Sequence, residues 1–425
     1  MNLENHPCFN KKAHGTFGRV HLPVAPRCNI QCRFCNRKFD CVNESRPGVT
    51  SGVLTPHQAM VYLKEVFRQK SDISVAGIAG PGDPFANPSE TLETLQLIRD
   101  TYPDMLLCVA TNGLNIRPYL DDLARLKVSH VTLTVNAVDP TVSTHIYAWV
   151  RHGKRVLRAE QGATILLENQ LAAIKALKTR GITVKVNSII LPGINETHIE
   201  AVAKTVAGLG ADVHNCVPYH PSAGSAFEDL EEPPAAVVAG IRKAAGRHLP
   251  QMRHCTRCRA DAVGLLGEAS HADLMATLQA CERLSEESTT IWAMGSTRPN
   301  VAVASQEGVL VNQHLGEASR ILVYGKKEGV ITLLGARDAP QPGAGFQRWA
   351  ELSHNLRDCR ALLVSGIGEN PRRALSASGI EILEIEGVID EAVRAVFDGR
   401  SIRHLIRREP AACSAGCSGS GMGCS

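Results

Sequence analysis

Between Val20 and about Tyr219 the chain alternates short β-branched runs with longer amphipathic stretches, and this alternation leaves few architectures open. The runs are Val20–Ala25, Ile73–Ala79, Leu106–Ala110, Val131–Val135, Ile182–Ile190 and Val213–Val217. Helix-like sequence follows each of them: Thr55–Gln69, Ser89–Thr101, Ile116–Leu126, a long and partly irregular stretch Pro140–Arg180, Glu196–Leu209 and Pro234–Arg247. Strand and helix at this spacing predict parallel βα units, arranged as a doubly wound sheet or as a complete or partial barrel. Six units fit an open barrel better than the closed eightfold one, so the expected fold is α/β, a partial (βα)6 TIM-like barrel. In such barrels the chemistry lies at the C-terminal ends of the strands.

A second α/β pattern begins near Ile291. Strands are expected at Asn300–Ser305, Arg320–Tyr324, Val330–Leu334, Ala361–Ser365 and Glu381–Ile385, and helices at Phe346–Leu356, Pro371–Ser378 and Ile389–Phe397. The expected organisation is therefore a barrel with N- and C-terminal extensions over residues 1–270, a linker over 271–290, a smaller α/β domain over 291–400 and a flexible Cys/Gly/Ser tail over 401–425. A length of 425 residues accommodates these parts, and 44% hydrophobic with 21% charged residues matches ordinary globular composition.

The 46 basic and 42 acidic residues are spread along the chain without a basic stripe, so no nucleic-acid partner is expected. No apolar run approaches the roughly 20 residues of a membrane helix, and Met1 to Lys12 lacks the apolar centre of a secretory signal. A cytoplasmic location follows as the expectation. There the 14 cysteines would stay reduced, which turns the grouped ones toward metal or cluster ligation.

Cys28, Cys32 and Cys35 form C-x3-C-x2-C directly after the first strand, in PRCNIQCRFCNRK. Three thiolates in one tight loop can hold three irons of a 4Fe-4S cluster and leave the fourth open to another ligand. A structural zinc loop is the plainer alternative, but it needs four ligands in short paired spacings, and no C-x2-C partner follows nearby.

That spacing in a βα context resembles the radical S-adenosylmethionine (SAM) superfamily, and further segments fit the resemblance in chain order. Gly80-Pro81-Gly82-Asp83-Pro84 looks like the Gly-rich segment that holds the methionine amino group. Thr111, Asn112 and Asn136 stand where ribose and carboxylate contacts are implied. Leu191, Gly193 and Glu196 match the later part of the adenine-side pattern G-x-I-x-G-x-x-E, with Ile189 in place of its first glycine.

A closer resemblance is to the NifB family of nitrogenase-cofactor biosynthesis proteins. It is carried by HPC at His6–Cys8, HLPVAPRCNIQCRFCNRKFDC at His21–Cys41, NESRPGV at Asn43–Val49, AGPGDPFANP, TNGL and HCTRCRADAVGLLGE, and covers essentially residues 6–270. The resemblance implies three 4Fe-4S clusters: one on the Cys28 triplet, one substrate cluster on His21, Cys41 and Cys108, and a second on Cys8, Cys255 and Cys258. Taken alone, Cys108 in MLLCVAT reads as a small core residue, His21 as a packed imidazole with His14 nearby, and Cys255 with Cys258 as half a zinc site. Glu44, Ser45 and Arg46 are candidates for proton handling beside the first substrate cluster; a surface turn ending in Pro47-Gly48 is the bland alternative. Cys216, Cys281 and Cys359 read as structural. Cys413, Cys417 and Cys424 lie in the tail, and the family pattern does not require them. The C-terminal domain, with Gln313-His314-Leu315-Gly316-Glu317, resembles the NifX-like cofactor-carrier domain, in which His314 would help to dock an anionic cluster.

The implied activity is that of a carbide-inserting cluster synthase. One SAM methylates a sulfide of a substrate cluster; a second is cleaved to a 5'-deoxyadenosyl radical that takes hydrogen from the methyl carbon. Fusion of the two clusters with an added sulfur then gives an 8Fe-9S-C precursor. Implied partners are iron-sulfur cluster donors, an electron donor such as a ferredoxin, and downstream cofactor carriers or scaffolds. Two rivals remain at this stage: another radical SAM enzyme with auxiliary clusters, and a non-catalytic iron-sulfur scaffold. The first leaves His21 with Cys41 unexplained, and the second has no need of the Gly80–Pro84 segment.

Overall fold

A computed structural model describes residues 3–10, 12–13, 15–41, 49–252, 255, 259–266, 272–284, 298–327, 329–340, 345–398, 402 and 405. The chain divides into two compact units, Met1–Glu286 and Glu287–Ser425.

The first unit is built on a seven-stranded sheet of β1 (Gly18–His21), β2 (Ile73–Ile78), β3 (Leu106–Thr111), β4 (His130–Thr134), β5 (Thr183–Ile190), β6 (Val213–Pro218) and the short β7 (Val263–Gly264), in the order β7-β1-β2-β3-β4-β5-β6. β1 to β6 are mutually parallel; only β7, at the edge beside β1, is antiparallel. A doubly wound sheet would reverse its strand order at a switch point. For β1 to β6 spatial and chain order coincide, so the sheet winds in one sense as a partial (βα)6 barrel whose edges, β6 and β7, do not meet.

The connecting helices are α1 (Pro56–Gln69), α2 (Pro88–Thr101), α3 (Leu120–Arg125), α4 (Ala159–Lys178) and α5 (Ile199–Gly208); α6 (Ala235–Ala245) follows β6. α1 starts at a reciprocal cap in which Gln58 N–H donates to Thr55 Oγ1 and Thr55 N–H donates to Gln58 Oε1, with Pro56 at the first helical position. Alternation within the strands separates two surfaces. Leu107, Val109, Val131, Leu133, Val184 and Val186 join the hydrophobic cluster shared with the helices. Their neighbours Cys108, Thr132, Lys185 and Asn187 line a cavity instead. Polar residues in otherwise apolar strands thus mark the inner wall.

Two features depart from simple βα alternation. The stretch Pro140–Arg180 contains a short helix, Pro140–Ile146, and a hairpin, Tyr147–His152 with Arg155–Leu157, before α4. The segment expected as a linker carries α7 (Ala272–Glu282), whose Leu274, Leu278 and Cys281 join the same core as Tyr62, Leu63 and Val66 of α1. Burying that apolar face is what makes it part of a domain rather than a tether.

The second unit has a five-stranded sheet of β8 (Asn300–Val303), β9 (Arg320–Lys327), β10 (Val330–Asp338), β11 (Cys359–Val364) and β12 (Glu381–Glu384), in the order β10-β9-β8-β11-β12. Val301, Val303 and Leu363 pack with Val393 and Val396 of α10 (Ile389–Asp398). Ala302, Leu362 and Val364 pack with Leu352 of α8 (Gly345–Asn355) and Leu375 of α9 (Glu369–Ala377). Among the described residues no helix is long and apolar enough to cross a membrane.

The turn after β2 lies against the chain leaving β1. Gly82 N–H donates to Ala25 O at 2.6 Å, and a Cβ at Gly82 would stand 2.2 Å from Arg27 O. Gly82→Ala is therefore expected to displace that turn and to destabilise the barrel by about 1–3 kcal/mol. Gly240→Ala, in α6 with nothing within 4 Å of the added Cβ, should instead be neutral or stabilising by up to about 1 kcal/mol. Denaturant titration of the two variants side by side checks the contrast.

Candidate iron-sulfur and nucleoside site

The triplet loop owes its shape to pairing and burial. Ile30–Cys32 forms a short strand antiparallel to Tyr147–His152, with Cys32 opposite Tyr147, so the hairpin after β4 holds the middle cysteine. Ile30, Cys32 and fully buried Phe34 pack with Ile146, Tyr147 and Val150. Gln31 Nε2 donates to Cys32 O at 3.0 Å and Cys35 O at 2.8 Å, and Cys35 N–H donates to Cys32 O at 3.1 Å.

Cys28, Cys32, Cys35 and Cys41 line one cavity of about 440 Å³ together with Arg37, Gly82, Asp83, Ala110, Thr111 and Asn112. Burial pushes the Cys28 thiol up to about 11, opposed by the Arg37 guanidinium, and raises Cys35 against the same cation. Left to themselves these sulfurs are thiols; bound iron would supply the charge that makes them thiolates. Among the described residues no three His, Cys, Asp or Glu side chains converge on a point that suits a single ion. Cysteines spaced around a cavity fit a polynuclear cluster better than zinc.

The Gly-rich turn is joined to the strand ends by two buried side chains. Asp83 accepts from Thr111 Oγ1 at 2.9 Å, Asn112 N–H at 2.7 Å and Phe85 N–H at 2.9 Å. Burial raises its carboxyl, with the Asn112, Thr111 and Phe85 bonds pulling the other way. Asn87, absent from the sequence-based site, accepts from Arg27 N–H at 3.1 Å and Arg27 Nε at 3.0 Å, and donates to Arg27 O and Asp83 O at 2.8 Å each. Asn112 Nδ2 donates to Asn29 Oδ1 at 2.6 Å and lies 3.8 Å from Cys28 Sγ.

Of the residues assigned to the nucleoside side, Gly82, Asp83, Thr111 and Asn112 line the triplet cavity, whereas Gly80, Asn136, Leu191 and Gly193 do not. Asn136 is fully buried; its Oδ1 accepts from Ile189 N–H at 2.8 Å and its Nδ2 donates to Tyr147 Oη at 3.2 Å. Asn195 stitches the same turn, accepting from Leu191 N–H and donating to Asn136 O and Ile189 O. Gly193 N–H donates to Glu196 Oε1 at 3.2 Å. Gln170 of α4 donates to Asn112 O and Thr134 O. Its sequence signal is a polar residue in register with the buried stripe Leu166, Leu167, Ala173, Ile174 and Leu177.

A second cavity, of about 680 Å³, brings together His6, Cys8, His21, Cys108 and Cys255 from the N-terminal segment, β1, β3 and the segment before β7. Ala110 lines both cavities, so they adjoin. The charged residues on the larger wall are Arg19 and Lys185, and no carboxylate is among its described lining residues. Cys41 lines the triplet cavity rather than this one, so the implied set His21, Cys41 and Cys108 spans the two. Glu44, Ser45, Arg46, His14, Cys258 and the tail cysteines lie outside the described residues.

His21 Nδ1 lies 3.1 Å from Arg259 O, and a carbonyl can only accept, so Nδ1 carries the proton and Nε2 keeps its lone pair. Burial and Arg19 lower its pKa to about 4, which keeps it neutral. Gly77 leaves room for the ring: a Cβ there would stand 3.1 Å from His21 Cδ2. In the second unit, exposed His314 accepts Gly316 N–H at Nδ1, 3.1 Å away.

The Radical SAM superfamily model matches residues 22–206, and the Dinitrogenase iron-molybdenum cofactor model matches residues 298–399. The chain is 53% identical to the FeMo cofactor biosynthesis protein NifB of Chlorobaculum tepidum, covering 100% of this chain and 99% of that one. It is 39% identical to the protein of the same name from Frankia alni (93% and 87% covered) and 38% identical to that of Azotobacter vinelandii (93% and 88%).

Asn87→Ala removes both halves of the clamp on Arg27 and leaves buried partners unsatisfied, at an expected cost of about 1–3 kcal/mol. Asn87→Asp, which keeps the acceptor and loses the donor, should recover only part. Thermal unfolding of the three proteins measures this.

Proposed function

This chain belongs to the NifB family and is a radical SAM enzyme of FeMo cofactor biosynthesis; we propose that it fuses two 4Fe-4S substrate clusters with a SAM-derived carbide and an added sulfur, forming an 8Fe-9S-C precursor. The observation that carries this reading is the convergence of His21, Cys108, Cys8 and Cys255 on a cavity that adjoins the triplet cavity across Ala110.

Cys28, Cys32 and Cys35 would hold the resident cluster, which supplies the single electron that cleaves SAM. Gly82 and Asn112 line the space beside it, and Asp83 with Asn87 keeps that wall in place. His21 offers Nε2 to the first substrate cluster together with Cys108 and Cys41; Cys8, Cys255 and Cys258 would take the second. Arg19 and Lys185 offset the negative charge that thiolate-ligated clusters bring into a buried space. Each substrate set has three protein ligands rather than four, which suits clusters that must later leave. Glu44, Ser45 and Arg46 remain our candidates for proton handling beside the first substrate cluster.

The second unit would carry the product. His314 accepts at Nδ1, so its neutral form bears the proton on Nε2 and meets an anionic cluster as a hydrogen-bond donor rather than a ligand. An electron donor such as a ferredoxin and downstream carrier proteins complete the proposed reaction.

The test is anaerobic incubation of cluster-loaded protein with reductant and SAM, quantifying S-adenosylhomocysteine and 5'-deoxyadenosine. Both products are expected; deoxyadenosine alone would indicate another radical enzyme, and neither would indicate a scaffold. Ala at Cys28, Cys32 or Cys35 should reduce deoxyadenosine to background. Ala at Cys41 or Cys255 should spare cleavage while removing up to about a third of the iron, one cluster of three.

A further inference from the structure

The HPC segment contributes Cys8 to the larger cavity, but it contributes His6 as well, and no role in the proposed reaction requires that histidine. Its side chain is 1% exposed, with its ring 4.3 Å from that of His130 and 4.7 Å from that of Phe9. Cys8 N–H donates to His6 Nδ1 at 3.2 Å. A ring nitrogen that accepts has no proton of its own, so the proton sits on Nε2. That buried Nε2 has no hydrogen-bond partner among the described residues. A buried donor without an acceptor is a cost the fold would shed unless something else meets it.

The cavity that His6 lines carries thiols, cations and the polar side chains of Thr132, Asn187 and Asn215, and none of these meets the N–H. An occupant of the cavity can supply the acceptor that the N–H lacks. Resting on the reading that iron-sulfur clusters are the substrates here, we propose that His6 donates its Nε2–H to a sulfur of the cluster held at Cys8. It is a positioning residue, not an iron ligand, and it differs from His21 in tautomer: His21 keeps a lone pair on Nε2, His6 a proton. Hydrogen bonds to cluster sulfurs stabilise the more negative reduced state and raise the reduction potential. The same N–H would restrict the cluster to one orientation while Cys8 holds it.

The two nitrogens of His6 can be tested separately in the full-length, cluster-loaded protein. His6→Asn keeps an acceptor near Nδ1 for Cys8 N–H but loses the outer donor. His6→Gln places an amide N–H near the Nε2 position. His6→Phe removes both. The readouts are iron content and the midpoint potentials of the clusters followed by EPR, with the triplet cluster recognised as the one whose signal changes on adding SAM. Expected are near wild-type iron in the Gln and Asn proteins, a potential shifted negative for a non-triplet cluster in His6→Asn and His6→Phe, and recovery toward wild type in His6→Gln. Restoration by Asn but not Gln would confine His6 to supporting the Cys8 backbone and overturn the proposal. So would unchanged potentials in all three variants, or loss of a cluster's iron in both Gln and Asn. A wild-type chain that takes up only the triplet cluster would instead defeat the functional reading on which this one rests.

Discussion

The buried hydrogen bonds of Asp83 and Asn87 tie together three pieces of chain that would otherwise move independently. Asp83 joins the turn after β2 to the end of β3 through Thr111 and Asn112; Asn87 joins the same turn to Arg27, at the start of the cysteine loop. Gly82 allows this by bringing its backbone against Arg27 O, where any side chain would collide. Because both side chains are almost fully buried, their bonds do not compete with water. The geometry of the triplet cavity therefore depends on residues that need not touch what the cavity holds.

The inner wall poses the opposite problem. Parallel strands are usually apolar on both faces, yet this sheet turns Cys108, Thr132, Lys185, Asn187 and Asn215 toward an enclosed space. Burying that many polar and ionisable groups is costly without a partner of opposite character. The proposed polynuclear sulfide clusters would be such partners: they take thiolates, and here an imidazole nitrogen, as ligands and benefit from nearby cations and N–H donors. Backbone groups set which role each imidazole can play, since Arg259 O makes Nδ1 of His21 a donor while Cys8 N–H and Gly316 N–H make Nδ1 of His6 and of His314 acceptors.

Much of the barrel was legible because its signal is local. Each expected strand from Ile73 to Val217 lies within a residue or two of an observed one, since β-branched runs bounded by turns form strands wherever both faces are covered. The first strand shifted from Val20–Ala25 to Gly18–His21, as the chain leaves the sheet to meet Gly80 and Gly82. The hairpin at Tyr147–Leu157 was hidden because it pairs with Ile30–Cys32, more than a hundred residues away. The helix-like stretch in the segment after Cys258 reads as part of a connector; that α7 belongs to the barrel was hidden, because its weakly patterned sequence becomes a buried face only against α1.

By itself the sequence determined the alternation of elements, the three-cysteine loop and the turn residues, all of which follow from the periodicity, conformational limits and ligand chemistry of neighbouring residues. The tertiary structure alone decided that His6, Cys8, His21, Cys108 and Cys255 share a cavity, and that Cys41 faces the other one. It also decided that Asn87, Asn195 and Gln170 hold the walls. The reason is that these properties belong to pairs of residues far apart in the chain: burial, tautomer and hydrogen-bond partner come from what folding brings alongside a side chain, and a single position carries no record of that neighbour.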